Sequence, residues 1–159
     1  MAQEIERKFL VKNDQWRQYE GQTTIYRQGY IYTQNATTVR VRVAGSQGFL
    51  TIKGKTSGKT RTEFEYSIPL EEAQEMLDNL CDPPLIEKTR TKLKIGNLTW
   101  EIDEFTGENE GLILAEVELD DENQEIEIPE WIGEEVTDDP RYYNANLVKN
   151  PYLKFKTSP

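Results

Sequence analysis

The sequence predicts an α+β protein that is mainly β, an antiparallel meander of about eight strands with two or three flanking helices. Three observations lead there. Apolar and ionisable residues alternate with a period of two along most of the chain, as in Val39/Val41/Val43 against Arg40/Arg42, and this period puts the two sets on opposite faces of a strand. Short turn-rich breaks such as Ala44–Gly48 and Gly54–Lys59 read as hairpin connections. The polar faces are almost wholly ionisable, with both signs present and few Thr, Ser or Gln spacers. A sheet with one wet face usually carries a looser mixture.

The elements follow in order. Ile5/Arg7/Phe9 oppose Glu4/Glu6/Lys8 in the first strand, and a short helix over Asn13–Tyr19 carries Trp16 and Tyr19 three apart. A weaker strand, Thr24–Tyr32, precedes Val39–Val43. Leu50/Ile52 then oppose Thr51/Lys53/Lys55, and Phe64/Tyr66/Ile68 oppose Glu63/Glu65/Ser67. Pro69–Leu80 is helical: Leu70, Ala73, Leu77 and Leu80 form one stripe, with Glu71, Glu72 and Glu75 early in the helix. Asp82-Pro83-Pro84 stops it. Leu85–Arg90 is a further weak strand, followed by Leu93/Ile95 against Lys92/Lys94, Trp100/Ile102 against Glu101/Asp103, and Ile113/Ala115/Val117/Leu119 against Leu114/Glu116/Glu118. A last helix is expected over Asp138–Lys149, with Asp139 as a cap before Pro140. No internal repeat or linker divides the 159 residues, so one domain spanning 1–159 is expected.

Closing such a sheet into a barrel would make its ionisable face a lumen and leave the apolar face for helices to cover. A charged lumen is tolerable only when it is hydrated, internally paired or filled by a charged ligand. The net charge of −10 argues against nucleic-acid binding, which needs a basic footprint. Its distribution says more. Residues 1–99 carry 15 Lys+Arg against 12 Asp+Glu, and residues 100–159 carry 4 against 17. No apolar run reaches the roughly 18 residues of a membrane span, and Cys81 is the only cysteine. A cytoplasmic protein without a membrane partner is expected.

Glu4-Ile5-Glu6-Arg7-Lys8 puts two carboxylates roughly 6.6 Å apart on one strand face, with an ammonium next in line. Taken alone, that is more often a solvated strand. Positive charges recur on alternate positions as Arg40/Arg42, Lys53/Lys55 and Lys88/Arg90/Lys92/Lys94, and carboxylate pairs as Glu4/Glu6, Glu63/Glu65, Glu101/Asp103 and Glu116/Glu118. Guanidinium forks grip phosphate oxygens, and carboxylates suit Mg²⁺ or Mn²⁺. The chain has no histidine, which removes imidazole acid–base chemistry and most zinc sites. Cys81 reads as core. Gly54–Thr60 lacks the leading glycine of a phosphate-binding loop, and Asp120–Asn123 lacks the glycine and spacing of a calcium loop.

In their order along the chain, Glu4-Ile5-Glu6-Arg7-Lys8, Val39-Arg40-Val41-Arg42, Thr51-Ile52-Lys53, Glu63-Phe64-Glu65, Glu87-Lys88-Thr89-Arg90 and Glu116-Val117-Glu118 resemble the CYTH, or triphosphate tunnel metalloenzyme, family. The resemblance covers residues 1 to about 150 and is closest to its short bacterial inorganic triphosphatases. It implies an eight-stranded antiparallel closed β-barrel that takes a linear triphosphate inside. By this resemblance Lys8, Arg40, Arg42, Lys53, Lys88 and Arg90 bind the triphosphate, and Lys92 and Lys94 lie past them. Glu4, Glu6, Asp103, Glu116 and Glu118 hold or orient two Mg²⁺ or Mn²⁺ ions, and Glu63, Glu65 and Tyr30 lend support. Glu4, Glu6, Lys8 and Glu118 form the catalytic set. The implied reaction is metal-dependent hydrolysis of tripolyphosphate to diphosphate and phosphate by direct water attack, in a monomer or homodimer. A class IV-type adenylate cyclase, a thiamine triphosphatase and a non-catalytic polyphosphate binder remain alternatives. Those cyclases often carry a histidine before the paired arginines, where this chain has Thr37-Thr38-Val39.

Overall fold

A computed structural model describes residues 5–31, 33–54, 62–121 and 123–155. Among them lie strands β1 (Ile5–Val11), β2 (Gln22–Ile31), β3 (Thr38–Ala44), β4 (Gln47–Lys53), β5 (Glu63–Ile68), β6 (Ile86–Ile95), β7 (Leu98–Phe105), β8 (Ile113–Leu119) and β9 (Ile132–Glu135). The helices are α1 (Leu70–Asn79), α2 (Asn144–Lys149) and α3 (Tyr152–Phe155), with 3₁₀ turns at Gln15–Gln18, Gly107–Asn109 and Pro140–Tyr142. All strands join one antiparallel sheet in the order β5-β4-β3-β2-β6-β7-β8-β1-β9.

This corrects the expected eight-stranded closed barrel in three respects. The sheet has nine strands among the described residues and is not closed: β5 and β9 are its two edges. The expected segments Leu85–Arg90 and Leu93/Ile95 run as the single strand β6. The added strand β9 has the sequence Ile-Gly-Glu-Glu, which lacks alternation and so gave no strand signal. It meets β1 with a shifted register between Phe9 and Val11. Val136 N then donates to Lys8 O at 2.8 Å, and the segment that follows packs on the charged face of the sheet.

The order is also not a simple meander. β2 to β5 and β6 to β8 are each meanders, but β2 pairs with β6, and β1 pairs with β8. The reason lies in the connections. Between β1 and β2 the chain makes the 3₁₀ turn that buries Trp16, and between β5 and β6 it makes α1. The true hairpins are tight: Gly45 and Gly96 take φ of +61° and +63°, left-handed values that favour glycine. The Gly54–Lys59 connection lies almost wholly outside the described residues.

Three apolar clusters hold the sheet. Trp16, Trp100 and Trp131 pack with Phe9, Ile102, Ala115 and Val117 under β1, β7 and β8. Ala73 and Leu77 of α1 seat on Val41 and Val43 of β3. The approach is close enough that a Cβ at Gly48 would come within 2.7 Å of Ala73 Cβ. Cys81 packs against this cluster, as expected of a core residue. The third cluster lies on the charged face: Ile86, Phe105 and Leu114 are covered by Tyr142, Leu147 and Val148 of the C-terminal segment. Burying each such side chain stabilises by about 1.5–3 kcal/mol. The C-terminal segment is thereby held against one end of the concave face.

Of the expected helices, only Pro69–Leu80 forms as one α-helix with trimmed ends; Asp138–Lys149 is split by an extended Tyr143 into the 3₁₀ turn Pro140–Tyr142 and α2. Asn13–Tyr19 becomes the 3₁₀ turn, with Tyr19 left 48% exposed. Asp139 caps the Pro140–Tyr142 turn by accepting from Arg141 N at 3.1 Å. Among the described residues, no helix is long and apolar enough to cross a membrane.

Candidate active site

Strand pairing carries the ionisable residues onto one continuous face. Cα partners share a face, and the ladders set Glu6 opposite Glu118, Lys8 opposite Glu116, and Glu116 opposite Glu101. They also set Asp103 opposite Arg90, Tyr26 opposite Lys88, and Tyr30 opposite Arg40. Beyond these, Thr38 opposes Lys53, Thr51 opposes Glu65, and Lys53 opposes Glu63. Every expected site residue among the described ones lies on this face. Glu4 lies outside the described residues. Lys92 and Lys94 are exposed and line none of the cavities described below.

A cavity of about 490 Å³ opens on the face, lined by Glu6, Lys8, Tyr30, Thr38, Arg40 and Lys53 from the sheet. Thr137, Tyr143, Asn144 and Asn146 of the C-terminal segment form its remaining wall. Half of the expected phosphate binders, Lys8, Arg40 and Lys53, therefore line the cavity. Arg42, Lys88 and Arg90 pack together beside it. A larger cavity of about 600 Å³ adjoins at Tyr30 and Thr38 and reaches Pro83, Pro84 and Lys149.

The cations at the cavity meet both neutral and acidic partners. Lys8 Nζ donates to Tyr142 O at 3.3 Å, lies 3.5 Å from Glu116 and sits 5.4 Å from the centre of the Tyr143 ring. Arg40 donates to Thr51 Oγ1 at 3.3 Å and is 3.8 Å from Glu65, and Lys53 is 3.8 Å from Glu63. Glu63 and Glu65 are thus counter-charges to Lys53 and Arg40. Arg40 Nε is buried with no hydrogen-bond acceptor. An orphaned donor of this kind costs about 1–3 kcal/mol unless something supplies the missing oxygen.

The inner cluster is tightly made. Lys88 Nζ donates to Asp103 Oδ2 at 2.8 Å. Arg90 grips the same carboxylate through Nε to Oδ1 at 2.7 Å and Nη2 to Oδ2 at 2.9 Å, and reaches Glu101 at 3.0 Å. The Lys88 side chain is 0% exposed. Burial, with Arg90 and Arg42 close by, lowers its pKa to about 8 despite Asp103. Burial likewise opposes the charge on Arg90, but Asp103 and Glu101 outweigh it and hold its pKa above the ordinary value. Burial would also raise the Asp103 pKa, and Lys88 with Arg90 hold it well below the usual carboxylate range. Burial, then the charges of Arg40 and Arg90, lowers Arg42 to about 10. Arg42 Nε donates to Gln28 Oε1 at 2.8 Å.

The donor set fits a hard divalent cation at one place. Glu6 and Glu118 oppose one another across β1 and β8, with Glu116 next along β8. Like charges directly opposed in a ladder are destabilising, and a cation between them reverses the sign. No three acidic, His or Cys side chains converge to hold an ion among the described residues. A few carboxylates completed by water and phosphate oxygens suffice for Mg²⁺. Asp103, expected in the ion-holding set, here spends both oxygens on Lys88 and Arg90.

Several site residues escaped the sequence reading. Tyr26, Gln28 and Thr51 carry no charge, and Tyr143 and Asn144 come from the segment Arg141–Asn146, which resembles the family but to which the sequence assigned no role. For Tyr26 and Gln28 a signal existed: Thr24, Tyr26, Gln28 and Tyr30 alternate on the face of β2 that meets the cations.

Residues 2–148 match the CYTH domain family. An Acetivibrio thermocellus protein named inorganic triphosphatase is 53% identical over 156 residues, spanning 98% of this chain and 99% of its own. A Nitrosomonas europaea protein of the same name is 40% identical over 149 residues, spanning 91% of this chain and 95% of its own. The crystal structure of an inorganic triphosphatase aligns with a TM-score of 0.73 at 34% identity, over 93% of this chain and 95% of that one. The ordered charge motifs, the antiparallel sheet that gathers them and these relatives agree: the chain belongs to the CYTH domain family.

Proposed function

We propose that this chain is a metal-dependent inorganic triphosphatase, hydrolysing tripolyphosphate to diphosphate and phosphate on the concave face of its sheet. The observation that carries the reading is the gathering of Lys8, Arg40, Arg42, Lys53, Lys88 and Arg90 on one face, three of them around a cavity of about 490 Å³. The buried, acceptor-free Nε of Arg40 supports an anionic occupant. The two relatives that bear the name inorganic triphosphatase support the choice of substrate.

Glu6, Glu116 and Glu118, with Glu4, would hold Mg²⁺ or Mn²⁺. When bound, such ions supply charge neutralisation and an acidified water. The chain's own part is electrostatic. Lys8, Arg40 and Lys53 bind and orient the phosphate chain at the cavity, and Arg42, Lys88 and Arg90 extend the positive surface beside it. Such fixed charges stabilise the charge that shifts to the leaving diphosphate. Direct attack by water at the terminal phosphorus, with no covalent intermediate on the chain, is the reaction course proposed for this site.

The test is product analysis with tripolyphosphate, ATP and thiamine triphosphate, each with Mg²⁺, Mn²⁺ or excess chelator. The expected result is phosphate and diphosphate from tripolyphosphate, fastest of the three and abolished by chelator. Cyclic AMP from ATP, or tight binding without turnover in every condition, overturns the proposal.

A further inference from the structure

The inner cation cluster raises a physical difficulty. Arg42 lies on β3 and Lys88 and Arg90 lie on β6, with β2 between the two strands, and each is an electrostatic neighbour of the other two. Asp103 and Glu101 serve Lys88 and Arg90. Arg42 instead donates from Nε to the neutral Gln28. What lies among all three is a ring. Tyr26 has Arg90 Cζ at 4.8 Å from its centroid, Arg42 Cζ at 5.0 Å and Lys88 Nζ at 5.8 Å. All three fall within the roughly 6 Å over which a cation is drawn to the electron-rich face of an aromatic ring.

We propose that Tyr26 is a positioning residue of the triphosphate site: its ring holds Arg42, Lys88 and Arg90 together without adding a net negative charge. The inference rests on the triphosphatase reading and deepens it. A carboxylate in the same place would hold the cations more strongly, but it would repel the incoming phosphate chain. A ring attracts the cations through its quadrupole and presents no anion to the substrate. It need not be displaced when phosphate oxygens arrive. The register makes this possible, since β2 lies between β3 and β6 and sets Tyr26 opposite Lys88.

Three substitutions test this in the full chain: Tyr26→Leu, Tyr26→Phe and Tyr26→Glu. Each is assayed for steady-state hydrolysis of tripolyphosphate, for tripolyphosphate affinity by calorimetry in chelator, and for its melting temperature. Tyr26→Leu is expected to raise KM about tenfold with kcat within about threefold, and Tyr26→Phe, which keeps the ring, to recover most of that loss. Tyr26→Glu is expected to melt no lower than Tyr26→Leu yet to bind tripolyphosphate more weakly than it. A merely structural tyrosine predicts the opposite order, with the half-buried glutamate the least stable. A Leu variant with unchanged KM and affinity, or a Glu variant that binds as well as the Leu one, overturns the proposal. A wild-type chain that neither binds nor cleaves tripolyphosphate overturns the triphosphatase reading, and this inference with it. Wild-type activity with indifferent Tyr26 variants removes the inference alone.

Discussion

Replacing Lys88 with methionine should make the protein more stable while removing one of the charges proposed to bind substrate. The ammonium is 0% exposed, and its pKa falls from the ordinary 10.5 to about 8. At about 1.36 kcal/mol per pH unit, protonated Lys88 costs the folded state roughly 3 kcal/mol. The direction with pH follows. Below pH 8 the lysine is protonated in both states and the cost is complete. Between about 8 and 10.5 only the unfolded chain keeps the proton, so wild-type stability rises with pH across that window. Removing Lys88 does not strand its partner, because Arg90 still donates to both oxygens of Asp103, at 2.7 and 2.9 Å. Methionine fills similar space without a charge. Urea unfolding at pH 7, followed by the fluorescence of Trp16, Trp100 and Trp131, which pack together in the core, should show Lys88→Met more stable by at most roughly 3 kcal/mol, because Asp103 also loses the attraction of Lys88. The gap attributable to the charge should close by pH 10.5, while tripolyphosphate KM rises. A variant less stable than wild type at pH 7 would show that the attraction of Asp103 outweighs burial, and would refute the reasoning.

Asp103→Asn should act in the opposite sense, since it leaves Lys88 and Arg90 buried without the carboxylate they share. Breaking a buried pair costs about 3–5 kcal/mol, and an unchanged unfolding midpoint would count against the shared-anchor role. Glu118→Ala and Glu4→Ala should each abolish turnover, and near-normal activity in either removes its metal-holding role. Arg40→Ala should weaken tripolyphosphate binding more than Mn²⁺ binding, both measured by calorimetry. Equal losses would detach Arg40 from the phosphate site.

The alternation in β3 was legible because Val41 and Val43 must meet α1 while Arg40 and Arg42 must not. A period of two states that division directly. The same reasoning failed for β9, where Ile132 is buried but Gly133, Glu134 and Glu135 offer no second apolar position. Closure failed for a related reason. Alternation tells which side a residue faces, and it is silent about which strands meet at an edge.

The site divides along the same line. Its charges were legible one strand at a time, so Lys8, Arg40, Arg42, Lys53, Lys88 and Arg90 could all be assigned to one face. Their partners depend on register between strands distant in the chain, as where β6 sets Arg90 against Asp103 of β7 and Lys88 against Tyr26 of β2. That register sets Asp103 against Arg90, where its carboxylate accepts from both Arg90 and Lys88. The same holds for the neutral residues. Tyr26 reads as an ordinary strand tyrosine until β2, which follows β1 in sequence, is found beside β6. Only then do its ring and three cations from two strands share one space, and only then does an uncharged side chain acquire an electrostatic task. In a site built to receive a polyanion, the neutral groups between the cations decide how much of their charge remains for the substrate.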